Sequence, residues 1–576
     1  MKHLFGQLKR FRAATILAPL LKLAEALLEL IVPLIVAKIV DDGIGGGDRT
    51  LIVRASLFLV LIGFVGLLFS VTAQYFAARA AVGATNGLRR ELFRHATGLP
   101  FKALDEIGAP TLVTRLTGDV NQVRSGVNLG LRLLLRSPFI VFGALIMAFT
   151  VDARSALIFS VMIPVLFLVA FAVTLTTIPL YRRSQAKLDR VVGLTRENLT
   201  GVRVIRAFGR EDAEVDRFRR ESEELSSLNR FVGRISALLN PLTYVVVNLA
   251  VIVLLRTGAI RIDAGNLSQG ELIALYNYLS QILVELLKLT SLVITINRSL
   301  ASAKRIGEIL DRRDALDSLP EETPDRATPD HVVFRGVSLT YPGAAGPALS
   351  GIDLSVGRGE KLGIIGGTGS GKSTLTGLIP HFLDATEGQV LVDGIDVRAY
   401  DTDALRRGIG IVLQEPLLFS GSVRDNLKMA NPDATDAEME SALATAQILD
   451  AVNEKGGLDA KIEQGGRNFS GGQRQRLAVA RALVRRPEIL ILDDSSSALD
   501  YQTDARLRAA IAALPEKTTV LTISQRTSSL RDADRIAVLD EGRLVGLGTH
   551  EELLATCPVY AEIDASQNAD GKEGAV

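Results

Sequence analysis

The sequence predicts an α-helical six-span transmembrane domain with long cytoplasmic helical extensions, fused to an α/β P-loop domain. Three observations carry this expectation. Six apolar runs of membrane-crossing length lie before about Ile296, the loops between them divide sharply by charge, and beyond residue 330 buried-strand runs alternate with helical segments. A chain of 576 residues has room for at least two packed units, and its 48% of hydrophobic residues is concentrated in the long runs of the first half. The expected layout is a membrane domain over 1–310, a linker over 311–330, an α/β domain over 331–562 and a tail over 563–576.

The six runs are Thr15–Val40, Ser56–Ala80, Leu131–Val151, Ala156–Tyr181, Ser236–Leu255 and Leu272–Ile296. Each approaches or exceeds the roughly 20 apolar residues that cross a bilayer core as helix. An even number of spans puts both termini on one side. The segment 182–234 holds about a dozen Lys and Arg, whereas "DDGIGGGD" (41–48) has none, so the long loops are expected in the cytoplasm. Those loops are far longer than turns require, and "GLRRELFRHATGL" and "SQAKLDRVVGLTRENLTGVRVIRAF" keep helical apolar spacing; they read as helices continuing out of the membrane. The start, "KHLFGQLKRFRAAT", reads as a basic amphipathic helix on the inner membrane surface. The apolar run after it is too long for a signal peptide and lacks a small-residue cleavage site, so it is expected to be retained.

Polar residues interrupt the spans. Lys22, Glu25 and Glu29 share one face of the first, and Glu285 and Lys288 one face of the sixth. Ionisable groups at membrane depth face a cavity or one another. One reading pairs Lys22 with Glu25 and Glu285 with Lys288; the other has them line a path through the membrane together with Tyr276, Asn277, Tyr278 and Gln281. Asp41 and Asp42, at the outer end of the first span, read either as a latch for an outer gate or as a solvated loop. The formal charge of +1, from 65 basic and 64 acidic residues, says little. The single cysteine, Cys557, excludes an intramolecular disulfide and any cysteine-based metal cluster.

The charged, proline-containing stretch after "RIGEIL" has no apolar period and reads as a linker. Beyond it, "KLGIIGG", "IGIVLQ", "EILILDD" and "TTVLTIS" read as strands of a mainly parallel sheet. "GGTGSGKST" (366–374) follows the first of these and fits the phosphate-loop spacing, in which glycines let backbone amides curl around phosphate and the next helix offers its positive end. Lys372 would reach the β and γ phosphates and Ser373 would ligate magnesium, making this an α/β P-loop nucleotide-binding domain. "ILILDD" delivers Asp493 to the same magnesium from the end of a buried strand. Between them, "FSGGQRQRLAVARAL" opens a second helix whose first amides suit phosphate. A second phosphate grip beside a complete phosphate loop implies a second chain.

This set resembles the ATP-binding cassette (ABC) transporter superfamily, and the order of spans and cassette is similar to exporter-type half-transporters of the multidrug class, over essentially the whole chain. The resemblance implies ATP and Mg²⁺ as cofactors. It implies that Gly366, Gly367, Thr368, Gly369, Ser370, Gly371, Lys372, Ser373 and Thr374 hold phosphate, that Tyr341 in "LTYPG" stacks on adenine, and that Gln414 links the γ-phosphate and its metal to the membrane domain. Ser470, Gly471, Gly472 and Gln473 match the signature, with Phe469 where leucine is usual, and 497–500, "SALD", matches the loop that crosses the dimer interface. Two cassettes would then pair head to tail with ATP between one phosphate loop and the other signature. The turns near "GLPFKALDEIGAP" and "RAFGREDAE" correspond to the family's contact points between membrane domain and cassette.

Two residues depart from the family pattern. Asp494 stands where a glutamate polarises the attacking water. One methylene fewer withdraws the carboxylate by roughly 1.5 Å, which spoils a water held at about 3 Å from its base. Gln525 stands where the family has histidine; it hydrogen-bonds a γ-phosphate but carries no positive charge into the transition state. Together with Gln414 these are the candidate catalytic positions. The pair resembles the degenerate-site subunit of heterodimeric bacterial exporters and implies a partner half-transporter with a consensus catalytic site. The expected function is ATP-dependent export of amphipathic or hydrophobic small molecules across the cell membrane by alternating access. The alternatives are peptide, lipid or metal-chelate transport by the same fold, or an ATP-gated regulatory or channel subunit. The six spans exclude a nucleic-acid partner.

Overall fold

Long apolar runs and short β-branched runs sort the chain into two units, 1–98 with 107–312 and 99–106 with 313–576. The computed structural model describes residues 1–312, 319, 328–341, 343–495, 499–515 and 517–568, without the side chains of 102, 105 and 568. Most of the expected linker, Ser497 and Ala498 of "SALD", and the end of the expected tail lie outside the described residues.

The first unit is all helix: α1 (Lys2–Leu8), α2 (Arg12–Lys38), α3 (Arg49–Thr97), α5 (Ala109–Thr114), α6 (Val120–Leu133), α7 (Arg136–Val151), α8 (Ala153–Thr200), α9 (Val202–Ala207), α10 (Glu211–Ala237), α11 (Leu239–Asp263) and α12 (Gln269–Leu310); the intervening α4 (Phe101–Ile107) lies almost wholly in the second unit. Five helical stretches among the described residues are long and apolar enough to cross a membrane: Arg49–Thr97, Ala109–Val151, Ala153–Thr200, Glu211–Asp263 and Gln269–Leu310. The first expected span differs. It forms as α2, 27 residues long, but Lys22, Glu25 and Glu29 interrupt its apolar run. The structure seats these charges against neighbouring helices: Lys22 Nζ lies 2.6 Å from Glu25 and donates to Ser70 of α3 at 2.9 Å.

Proline and glycine set the breaks. Pro138 cannot donate to the carbonyl of Leu134, and the chain turns between α6 and α7 at Leu134 and Leu135. Pro33 likewise leaves the Glu29 carbonyl without its helical donor. At the far end of α2 the coil loosens to a wider turn over Ile39–Gly45, and Asp41 accepts from the Ser268 hydroxyl and from the Gly270 amide (2.8 Å) at the start of α12. Asp41 is therefore tied to the neighbouring helix, not a solvated loop residue. The main apolar core gathers Phe159, Ile140, Leu254, Leu275, Tyr278 and Ile282. The N-terminal helix turns Leu4 into a second cluster with Leu88, Leu92, Val123 and Ile306, while Phe5 stays exposed.

The second unit holds β1 (Asp330–Leu339), β2 (Leu349–Gly357), β3 (Lys361–Gly366), β4 (Glu387–Val392), β5 (Ile395–Asp396), β6 (Ile409–Val412), β7 (Gly421–Ser422), β8 (Lys461–Ile462), β9 (Ile489–Asp493), β10 (Thr519–Ile523), β11 (Arg535–Asp540) and β12 (Arg543–Gly548). A six-stranded sheet runs β12-β11-β3-β10-β9-β6, parallel except at β12, and an antiparallel sheet runs β2-β1-β4-β5. β9 is buried along its whole length, as its unbroken apolar run requires of a central parallel strand.

Candidate functional site

Four neighbouring parallel strands deliver the chemistry at one sheet end. β3 runs into the glycine loop, β9 ends on Asp493, and β10 and β6 lead to Gln525 and Gln414. Open α/β sheets bind ligands at such carboxyl ends. A cavity of about 320 Å³ opens there, walled by Tyr341, Thr368, Gly369, Gly371, Lys372, Ser373, Thr374, Gln414, Asp493, Asp494 and Gln525. Ala348 and Ile523 complete the wall; neither was legible, because an apolar residue at a strand end carries no chemical signal.

The loop is shaped by close packing. Gly371 has φ +94°, and a Cβ there would come within 2.6 Å of the Ala348 carbonyl oxygen; Gly369, at φ +82°, faces open space. Gly366, Gly367 and Ser370 are not part of the wall but hold Lys372, whose Nζ donates to the two glycine carbonyls at 2.8 and 2.6 Å and lies 3.3 Å from the Ser370 hydroxyl. Burial pulls the Lys372 ammonium below its usual pKa range, against the pull of Asp493 and Asp494. Burial pushes Asp493 up, opposed by the Ser373 hydroxyl that donates to it, reinforced by the charge of Asp494 and opposed by Lys372. Asp494 is also raised by burial, against Arg526 and Lys372. Two such carboxyls beside a serine hydroxyl and an amide make an all-oxygen donor set that fits a hard divalent cation such as magnesium. Tyr341 reaches across to Thr374, hydroxyl to hydroxyl at 3.2 Å.

Asp494 itself takes the left-handed backbone, φ +45°, with its amide donating to Ile523 of β10 at 3.0 Å. Gln525 lies on a loop held from the C-terminal helix Pro558–Asn568. Gln567 donates to the Gln525 carbonyl at 2.7 Å and accepts from the Thr527 amide at 2.9 Å. Gln567 was invisible in the sequence, since nothing local marks a side chain that acts 42 residues upstream.

The signature lies apart from this cavity. Ser470 caps the helix Gly471–Val484, its hydroxyl accepting from the Gln473 amide while the Gln473 side chain accepts from the Ser470 amide. Ser470 and Gly471 are exposed, and none of Ser470, Gly471, Gly472 or Gln473 lines the wall formed by the phosphate loop of the same chain. Part of the first expected contact turn, 99–106, belongs to the second unit, where the Phe101 ring lies 4.5 Å from that of Phe382, over which Arg406 sits at 5.1 Å.

In the membrane unit the expected pairs Lys22–Glu25 and Glu285–Lys288 are both present, and Arg136 adds a link the sequence did not offer. Its guanidinium lies 2.6 Å from Glu29 and 2.6 Å from Glu285, and Glu285 also accepts from Ser137 and Lys288. Tyr278 does not line a path: it is fully buried and donates to the Leu30 carbonyl at 2.7 Å, while Tyr276 is exposed. An apolar cavity of about 130 Å³ lies between α8 and α12, walled by Leu166, Phe167, Phe171, Leu286, Leu289 and Val293 among others.

Residues 15–286 match the family model of the ABC transporter transmembrane region and residues 349–497 a second family model, that of the ABC transporter. An ABC transporter ATP-binding protein of Mycobacterium tuberculosis is 40% identical over 99% of this chain and 98% of its own length. The ATP-dependent lipid A-core flippase of Salmonella typhimurium is 30% identical over 98% of this chain and 97% of its own. Among solved structures, a bacterial Atm1-family ABC exporter with ATP bound superposes with a TM-score of 0.81 at 25% identity, covering 98% of this chain and 99% of that one.

Proposed function

Because the chain belongs to the ABC transporter family and couples ATP hydrolysis to transport, with ATP and Mg²⁺ as its cofactors, we propose that it is the hydrolysis-poor half of a heterodimeric exporter of amphipathic or hydrophobic compounds. One observation carries this reading. Asp494 and Gln525 share a wall with a complete phosphate loop and its magnesium ligands, so the site retains what holds a nucleotide and lacks what activates water. In this reading Ser470–Gln473 serve the partner's nucleotide, which explains why they are presented outward and away from their own cavity.

The membrane unit contributes six spans, α2 supplying the first despite its charges, since 27 helical residues at about 1.5 Å each exceed a bilayer core of about 30 Å. The basic loops support a cytoplasmic side for the termini and the cassette. Substrate passes by alternating access: ATP closes the cassettes, the helical extensions carry the movement to the spans, and hydrolysis at the partner's site resets them. A nucleotide retained at Asp494 biases the closed population between strokes. The apolar cavity beside α12 supports an apolar moiety on the substrate.

Purified alone, the chain should turn over ATP at least about tenfold more slowly than a transporter with glutamate and histidine at these positions, the scale of a misplaced general base. With its partner, Ser470→Ala should depress turnover more than Asp494→Glu raises it. Lone-chain turnover at the rate of a consensus transporter would sink the heterodimer reading. A second reading, export of a lipid, is favoured by the flippase among the relatives; it requires ATP-dependent movement of labelled lipid between the leaflets of proteoliposomes.

A further inference from the structure

The proline-weakened points of two membrane helices meet at one ion pair. In α2, Pro33 leaves the Glu29 carbonyl without a helical donor, and Gln281 of α12 approaches that oxygen at 3.4 Å. Pro138 breaks the α6–α7 junction and places Arg136 at the first residue of α7. The Glu29 side chain and the Arg136 guanidinium are 2.6 Å apart. Hinges in helices arise where a ladder bond is missing, so these helices bend most easily where they are fastened together.

The two arms of Arg136 differ in strength. Glu285 is 4% exposed and takes three donors, from Arg136, Ser137 and Lys288. Opening that arm would leave a buried carboxylate short of its main counter-charge, a costly state. The Glu29 side chain is 43% exposed and takes Arg136 alone among the hydrogen bonds of the described residues, so releasing it returns a half-hydrated carboxylate to a polar surface and leaves Arg136, itself 7% exposed, on Glu285. Any displacement of α2 against α7 and α12 therefore separates Glu29 first.

We propose that the Glu29–Arg136 bridge is a positioning joint of the ATP-coupled transport cycle, closed in one state and open in the other, with Arg136 remaining on Glu285 throughout. It rests on family membership and not on the reading of Asp494 and Gln525. Glu29 is the moving partner and Arg136 the fixed one.

The test uses the full-length transporter with its second subunit in lipid nanodiscs, Cys557→Ala to remove the native thiol, and spin labels at Leu27→Cys and Leu135→Cys, both half-exposed positions flanking the joint. Distances are recorded without nucleotide and with ATP, Mg²⁺ and vanadate, nucleotide retention being verified on the same samples. The expected result is two distance populations whose ratio changes with nucleotide. Glu29→Gln should shift the nucleotide-free ratio toward the separated form by about two- to fivefold, the scale of a half-exposed ion pair, with Glu29→Asp near the native ratio. One unchanged population in both nucleotide states, or a Glu29→Gln ratio equal to native, overturns the proposal. Should Glu29→Gln fail to assemble, the comparison of nucleotide states in the native background decides alone.

Discussion

His3 lies between two carboxylates, Nδ1 2.7 Å from Glu91 of α3 and Nε2 3.0 Å from Asp311 just past α12. The hydrogen bond to Asp311 holds the imidazolium above its ordinary range against partial burial, and Glu91 adds to it. A histidine raised in the folded state contributes stability that is complete below its unfolded value of about 6.5 and disappears as pH climbs through the higher folded value. Amide hydrogen exchange over 2–8 should therefore speed up beyond its intrinsic rate as pH climbs above about 6.5, and His3→Gln should remove that excess; an excess that survives the substitution contradicts the assignment. The legibility of single residues follows from sequence distance. The phosphate loop is contiguous and declares its chemistry within nine letters. Arg136 is bound to Glu29 and Glu285, 107 and 149 residues away, and the sequence offered the nearer Lys288 as the partner of Glu285. That shorter pairing exists, but it is the exposed edge of a larger cluster.

At the scale of elements, α2 and α12 are brought together by a missing side chain. A Cβ on Gly270 would overlap the Ala37 carbonyl oxygen, and the Gly270 amide is also a donor to Asp41. Gly270→Ala should push the helices apart and lower stability by about 1–3 kcal/mol, the usual cost of overpacking, read as a lower melting midpoint in detergent. Asp41→Asn, which keeps an acceptor, should lose less. If the alanine variant melts with the native chain, the contact does not constrain the helices. Most elements here follow from hydrophobic period and proline placement, so long helices and the parallel strands were readable. The charges of α2 were legible but not their partners: Glu25 is met within its own helix by Lys22, while Lys22 also reaches Ser70 of α3 and Glu29 reaches Arg136 of α7, contacts that no local pattern marks. The orientation of the signature was likewise not in the letters, although its capping box was.

Taken whole, the molecule keeps its phosphate chemistry on strand ends and gathers charges of α2, α7 and α12 into one cluster. That cluster comprises Lys22, Arg136 and Lys288 against Glu25, Glu29 and Glu285, three positive and three negative. Charge moved through a membrane potential costs about 2.3 kcal/mol per elementary charge per 100 mV. In this set, which sums to zero, the only charge the proposed joint displaces against the others is Glu29, by the length of an opened ion pair and not across the bilayer core, so the set does little such electrical work. ATP turnover by the reconstituted transporter without substrate should thus be unchanged when a potassium diffusion potential of either sign is imposed. A strong dependence in the native protein would mean that the helices carry unbalanced charge. By this balance any current through the cycle belongs to the cargo, and its sign in an electrical recording would report the cargo's ionisation before its identity is known.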